Sequence, residues 1–314
     1  MEQFFTVLTQ ILIFIILIAL GILAVKRNIL DEHSLGNLSK VIMRMALPAY
    51  IFIKTAEGAT RAGLAASLAV IPMAIVMYLL LFLLSLGIEK VFHLRGNRSH
   101  VFRAVVMFGN VGFMGIPLVV ELYPDTALLY VSLFTILDQM LFWTYGTALT
   151  EQVSEEKKKF SPAALKNLLS PALLAIVLAT ICVLLNVQLP YVISATLNKL
   201  GAASMPLSLL YIGGMLSMTD VRKVLKCGEL YAEIILKMLV LPLVFYFVVR
   251  RLGVAEDMAG TMAFLAGLPA INMVAMLAKN NGSDGDYAVC AVMMTTLACL
   301  VTLPLVSLGV ALIG

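Results

Sequence analysis

Two short stretches of the sequence place glycine, proline and asparagine inside otherwise apolar segments. The first is GNVGFMGIP at residues 109–117, and the second is GLPAIN at residues 267–272. In a helix interior glycine costs about 1 kcal/mol and proline about 3 kcal/mol relative to alanine. Proline also removes a backbone hydrogen bond and clashes with the preceding turn. Each stretch therefore predicts a break in a helix.

A broken helix exposes unpaired backbone groups, which at membrane depth are tolerated only inside protein or around a cavity. The half-helix N-termini present N–H groups and positive dipole ends, which favour an anion. Asn110 is a favourable N-cap residue, and Pro269 suits the first position of a helix. We predict a substrate site formed by Gly109, Asn110, Gly112, Pro117, Pro269, Ala270, Ile271 and Asn272. The alternative for such glycines is close helix packing alone.

Four charged side chains fall inside the same kind of apolar segment, where a charge costs about 2.5–3.5 kcal/mol on insertion scales. Asp138 is either a protonatable or cation-coordinating group, or a structural residue that hydrogen-bonds or pairs with Arg44. Arg44 either meets a substrate carboxylate or extends to the membrane surface. Glu233 and Lys237 have the i, i+4 spacing of a local helical ion pair.

The elements that would position these residues are membrane helices. Of 314 residues 61% are hydrophobic and 13% charged, whereas soluble domains are about 45–50% apolar and about 25% charged. This composition excludes soluble enzymes, secreted disulfide scaffolds and nucleic-acid binders. Segments of about 20 apolar residues predict membrane spans at about 4–25, 35–55, 62–88, 101–121, 126–150, 171–187, 195–218, 229–249, 258–279 and 286–313.

The loops between these spans predict orientation and symmetry. Most of the 22 Lys and Arg residues fall on one face, which the positive-inside rule makes cytoplasmic. We therefore expect a multi-pass protein of the inner or plasma membrane with both termini outside. A polar linker at 151–170 separates a five-helix repeat at 1–150 from a second at 171–314. An odd number of spans per half makes the two repeats inverted, a common transporter plan.

The predicted fold is all-α, and three of its sequence runs resemble the auxin efflux carrier family. They are LPAYIF in span 2, GNVGFMGIPLV in span 4 and GLPAINMVAMLAKNNG in span 9. The short central loop is similar to its bacterial permease branch. The resemblance implies a fold like that of the bile-acid sodium symporters, with scaffold and crossover domains and an elevator-type movement. It also implies that Asn110 binds a substrate carboxylate where spans 4 and 9 cross, with Pro269 marking the second break. Gly109 stands where plant members have proline, so auxin does not carry over as the substrate.

We therefore expect a secondary transporter for a small organic anion, a mono- or dicarboxylate such as malate, malonate or an auxin-like acid. No cofactor or metal is expected, and the partners are the anion, the lipid bilayer and, if the chain self-associates, a second copy in a homodimer. A sodium-coupled symporter is the first alternative; a ligand sensor, a channel and an intramembrane enzyme follow. The enzyme is disfavoured because the sequence lacks HExxH and GxSxG motifs. Direct ATP drive is disfavoured because it lacks a P-loop motif.

Overall fold

The computed structural model of the chain describes residues 2–58, 68–123, 126–153, 171–218 and 226–313, and its regular elements there are all helices. The helices of the first half are α1 (Glu2–Lys26), α2 (Glu32–Val41), α3 (Leu47–Gly58), α4 (Val70–Val91), α5 (Gly96–Met107), α6 (Ile116–Leu122), α7 (Ala127–Leu141) and α8 (Thr147–Leu149). Those of the second half are α9 (Pro171–Leu185), α10 (Tyr191–Ala202), α11 (Ser204–Ser217), α12 (Gly228–Ile235), α13 (Leu241–Arg251), α14 (Glu256–Ala266), α15 (Asn272–Asn280) and α16 (Gly285–Ile313).

Within the described residues, four short π-helical turns lie directly before α-helices and run into them without a break. They occupy Ile42–Ala46, Val111–Gly115, Phe142–Gly146 and Leu236–Val240. Such single turns inside longer helices are frequent at functional sites. The turn at Val111–Gly115 is the one that follows the first predicted break.

Four continuous helical stretches are long and apolar enough to cross a membrane, judged by length and composition: Val70–Val91, Tyr191–Ser217, Gly228–Arg251 and Gly285–Ile313. A shorter apolar helix occupies Leu12–Lys26. The all-helical prediction is therefore confirmed for the described residues, and their apolar helices are consistent with a polytopic membrane protein. The count of ten spans in two inverted repeats stays a prediction. Part of predicted span 3 and most of the linker at 151–170 lie outside the described residues.

The most extensive packing between two helices joins α1 to α11, and α16 packs against both. Glycines allow the two backbones to touch: a Cβ added to Gly213 would lie 2.0 Å from the carbonyl oxygen of Ile18. A Cβ added to Gly21 would lie 2.2 Å from the carbonyl oxygen of Leu210. Small residues at crossings are how membrane helices gain close van der Waals contact.

Glu233 and Lys237 are fully buried on the stretch that begins with α12, with Nζ 3.7 Å from Glu233 Oε1. The Lys237 ammonium also donates to the carbonyl oxygen of Val105, at 3.2 Å. Val105 is in the last turn of α5, where carbonyls lack intrahelical partners and a cation is favourable. The predicted local pair is therefore present, and Lys237, in the π turn that follows α12, also connects this turn to the end of α5.

Candidate functional site

The first interrupted segment unwinds over three residues. Helix α5 ends at Met107, Phe108 is extended (φ −107°, ψ 108°), and Asn110 has φ −79° and ψ 61°. The chain then re-enters helical geometry through the π turn and α6, whose first residues include Pro117. Asn110 thus occupies the N-cap position, as predicted, but its side chain makes no capping hydrogen bond.

The second interrupted segment runs from the end of α14 at Ala266 to the start of α15 at Asn272. The expectation that Pro269 occupies the first position of a helix is wrong, because α15 begins three residues later. Ile271 is extended, with φ −68° and ψ 135°. Pro269 lies inside the unwound stretch, where its missing N–H leaves no donor unpaired and its carbonyl oxygen serves as an acceptor.

The two unwound stretches cross and pair with each other. Gly109 and Ala270 form an isolated antiparallel bridge. The N–H of Asn110 donates to the Pro269 oxygen at 2.8 Å, and the N–H of Ile271 donates to the Phe108 oxygen at 3.0 Å. Backbone groups released by one break are thereby satisfied by the other. These two N–H groups are consequently not available to an anion.

Two further features hold the crossing in place. The N–H of Ala270 donates to Thr295 Oγ1 of α16, at 3.2 Å. A Cβ added to Gly109 would lie 3.0 Å from Leu268 Cβ. Glycine at 109 therefore permits the close approach that the bridge requires.

Two asparagines flank the bridge with buried amides. Asn110 and Asn272 are each 1% exposed, and the Oδ1 of each has no hydrogen-bond partner within the described part of the chain. Asn272 Nδ2 donates to Ser208 Oγ at 3.2 Å, while the Ser208 hydroxyl donates to the Met205 oxygen at 2.8 Å. Because the one hydroxyl proton of Ser208 is used, Ser208 accepts from Asn272. This orientation leaves the Asn272 oxygen as the free atom.

A small cavity of about 30 Å³, called the crossover cavity here, lies beside the crossing. Its polar lining includes Lys54, Asn110 and Gln139, and its apolar lining includes Phe142 and Trp143. This volume holds only about two or three water molecules, since each water needs roughly 10–15 Å³ measured in this way. A larger solute therefore requires the surrounding helices to move.

A second cavity of about 270 Å³ adjoins the first and shares Tyr50, Lys54 and Gly112 with it. The Tyr50 hydroxyl donates to the Gly112 oxygen, and a Cβ on Gly112 would lie 3.1 Å from the Tyr50 ring. These three residues form the boundary between the cavities. Lys54 is exposed and reaches both cavities.

The predicted site residues separate into two groups. The first group meets at or next to the bridge: Gly109, Asn110, Ala270 and Ile271. Further predicted residues lie near the bridge in sequence: Gly112, Pro117, Pro269 and Asn272. Arg44 is exposed on the π turn after α2 and is absent from the lining of the crossover cavity.

Asp138 lies one residue from the cavity, in a buried hydrogen-bonded chain. The Tyr78 hydroxyl donates to its Oδ1, and Gln139 Nε2 donates to its Oδ2 at 2.9 Å. Trp143 Nε1 donates to Gln139 Oε1 at 3.1 Å. Both carboxylate oxygens of Asp138 therefore accept hydrogen bonds from neutral donors. The alternative in which Asp138 pairs with Arg44 is not what the structure has. Gln139 connects Asp138 to the cavity wall.

Tyr78→Phe is expected to lower the free energy of unfolding by about 1–3 kcal/mol, because a buried carboxylate loses a donor. The denaturation midpoint of the purified protein in detergent measures this change. The matched control is Tyr191→Phe, which should have little effect because Tyr191 is 85% exposed. Equal midpoints for the two variants would show that the Tyr78 hydroxyl contributes nothing to Asp138.

Sequence reasoning missed Tyr50 and Lys54 as site residues. Lys54 sits near the end of α3 and resembles any basic residue at a membrane boundary. Gln139 had a usable signal, because an amide in the middle of an apolar helix needs a buried partner. Tyr50 lies in the LPAYIF run, but only tertiary packing places it against Gly112.

A family model described as "Membrane transport protein" matches residues 6–307. An uncharacterized transporter of Methanocaldococcus jannaschii is 23% identical over 306 residues, covering 94% of this chain and 96% of that protein. Both matches extend through the two interrupted segments that cross. The chain belongs to this membrane transport family, the auxin efflux carrier family that its motifs resemble.

Proposed function

We propose that the protein is a secondary transporter for a small organic anion, a mono- or dicarboxylate such as malate, malonate or an auxin-like acid. The observation that supports this most is the presence of both Lys54 and Asn110 in the lining of one cavity at the crossing of two broken helices. Broken helices that meet at membrane depth are a characteristic transporter binding site.

The side chains present suit a carboxylate with an apolar or hydroxylated body. The Lys54 ammonium supplies the positive charge and a charge-assisted hydrogen bond. The Asn110 amide offers donor hydrogens to a carboxylate, and its unpartnered oxygen accepts from a hydroxyl or a protonated carboxyl group. Trp143 and Phe142 supply an apolar wall, as is usual in small-molecule sites.

We further propose an elevator-type alternating access in which the paired breaks move as one body. The cavity of about 30 Å³ is too small for a dicarboxylate, so binding requires an opening. In this proposal the two halves, 1–150 and 171–314, are inverted repeats with both termini outside the cell membrane. Asp138, held beside the cavity through Gln139, is the candidate coupling group for a proton.

Asn110→Ala and Lys54→Gln are expected to weaken carboxylate binding by about 10- to 100-fold each, because each removes a hydrogen bond to a charged group worth about 1.5–3 kcal/mol. Thermal-shift titration with malate, malonate and indole-3-acetate measures affinity, since a ligand that binds only the folded state stabilises it. Counterflow of radiolabelled acid in proteoliposomes measures transport.

Lys199→Gln is the matched control, because Lys199 is an exposed lysine of α10 that is absent from the lining of the crossover cavity. It should leave affinity and counterflow unchanged. Unchanged affinity in Asn110→Ala and Lys54→Gln would remove the crossing as the carboxylate site. Saturable counterflow that is lost in both variants supports it.

A sodium-coupled symporter is the second candidate, and the unpartnered amide oxygens favour it. Asn110 Oδ1 and Asn272 Oδ1 are acceptors, and hard cations are bound through oxygen ligands of this type. Replacing sodium by choline at fixed pH distinguishes the candidates. Loss of uptake in choline favours sodium coupling, whereas unchanged uptake that follows a pH gradient favours proton coupling.

A further inference from the structure

An apolar groove runs between α4 and the helical stretch that joins α12 to α13, away from the crossing. It is an open surface groove with a volume of about 710 Å³. Its two walls are formed by Leu80, Leu84 and Val91 on one side and by Leu236, Val240 and Val244 on the other. Both walls belong to stretches long and apolar enough to cross a membrane, so the groove faces acyl chains.

One residue of the groove lining has no side chain. This residue is Gly87, and a Cβ added there would meet nothing within 4 Å. At one end the groove narrows where Phe92 lies against Gly228, with 2.7 Å between an added Gly228 Cβ and Phe92 Cε1. The two helices therefore touch at this end and separate beside Gly87.

Three basic residues lie within three positions of Phe92 or of Gly228, which Phe92 contacts. Lys90 and Arg95 flank Phe92 along the chain, and Lys226 precedes Gly228 by two residues. All three are exposed, and none forms an ion pair with any residue that the structure describes.

The buried carboxylates at this end are already neutralised by other cations. Glu89 pairs with Arg103 at 2.7 Å, and Glu229 pairs with Arg98 at 2.6 Å. Among the residues that the structure describes, the basic cluster of Lys90, Arg95 and Lys226 thus has no carboxylate in an ion pair with it. It lies on the face that the positive-inside rule makes cytoplasmic, where anionic lipids attract basic residues.

We propose that this groove is a binding site for an anionic phospholipid of the surrounding membrane. One acyl chain fills the space beside Gly87, and the phosphate headgroup lies among Lys90, Arg95 and Lys226. The apolar walls provide affinity through methylene burial, and the basic cluster selects for a net negative headgroup. The proposal is independent of the transported substrate, because none of these residues lines the crossover cavity.

Native mass spectrometry of the full-length protein, titrated with phosphatidylglycerol or phosphatidylcholine, tests both parts of the site. The double variant Lys90→Gln with Lys226→Gln should weaken phosphatidylglycerol binding by about tenfold or more and leave phosphatidylcholine binding unchanged. Lys26→Gln with Arg27→Gln is the control, because it removes two exposed basic residues of the same predicted face away from the groove.

The groove itself is tested by Gly87→Leu, which adds a side chain where the structure has open space and should fold normally. It should weaken binding of both lipids by about tenfold, because the added carbons displace methylenes of the acyl chain. Gly36→Leu is the matched control, since a Cβ at Gly36 also meets nothing within 4 Å.

Retained binding in both the double variant and Gly87→Leu would overturn the proposal and leave only bulk lipid contact. A dimer that dissociates in Gly87→Leu, with lipid affinity unchanged, would also overturn it and assign the groove to a second copy of the chain. Loss of selectivity in the charge variant together with weaker binding in Gly87→Leu supports it.

Discussion

Lys237→Met is expected to destabilise the folded protein by about 3–5 kcal/mol, the usual cost of removing one partner of a buried ion pair. Glu233 is 0% exposed, and neither of its carboxylate oxygens has a hydrogen-bond partner among the described residues. Without the Lys237 ammonium the carboxylate is left uncompensated. The Val105 oxygen at the end of α5 also loses its donor.

A double-variant cycle separates the charge effect from the loss of packing. Glu233→Leu combined with Lys237→Met should recover most of the lost stability, because replacing a whole buried pair by apolar residues is often neutral or stabilising. The midpoints of chemical denaturation in detergent provide the comparison. A double variant as unstable as Lys237→Met would show that the Lys237 bond to Val105 dominates and that the pair itself contributes little.

Gly213→Ala is expected to cost about 3 kcal/mol, the upper end for overpacking, because the new methyl group meets backbone. The added Cβ would lie 2.0 Å from the Ile18 oxygen, and that atom cannot move without separating α1 from α11. The fraction of monodisperse protein after purification and the thermal denaturation midpoint both report the change.

Gly36→Ala is the control for Gly213→Ala, because it makes the same change in a helix with nothing within 4 Å of the new Cβ. It should be neutral or stabilise the protein by up to about 1 kcal/mol through helix propensity. If both alanine variants denature at the same temperature, the close crossing of α1 and α11 is not important for stability.

The breaks were predictable from sequence because their causes are local. Glycine and proline weaken a helix wherever they stand, so 109–117 and 267–272 identified the two interruptions. Local rules failed within the second break, where Pro269 precedes the helix start by three residues. The bridge to the first break holds that stretch extended, and this tertiary contact outweighs the preference of proline for a first helical position.

The composition of the site was less predictable than its location. The spacing of Glu233 and Lys237 indicated their pairing, but the contact between Lys237 and Val105 joins residues far apart in sequence. Lys54 reaches the cavity only because α3 lies beside the first break, where Tyr50 of α3 donates to the Gly112 oxygen. Sequence patterns identify the faces of a helix, and which faces meet is decided by packing.

The bridge between Gly109 and Ala270 also has a consequence for biogenesis. During synthesis the first break enters the bilayer before its pairing partner has been made, so its backbone groups lack the protein acceptors and donors that later satisfy them. Unpaired backbone at membrane depth is costly. The nascent first half therefore passes through an interval in which it depends on water, the insertion machinery or a membrane chaperone. A chain truncated before residue 267 would remain in that state and be a target for membrane proteases.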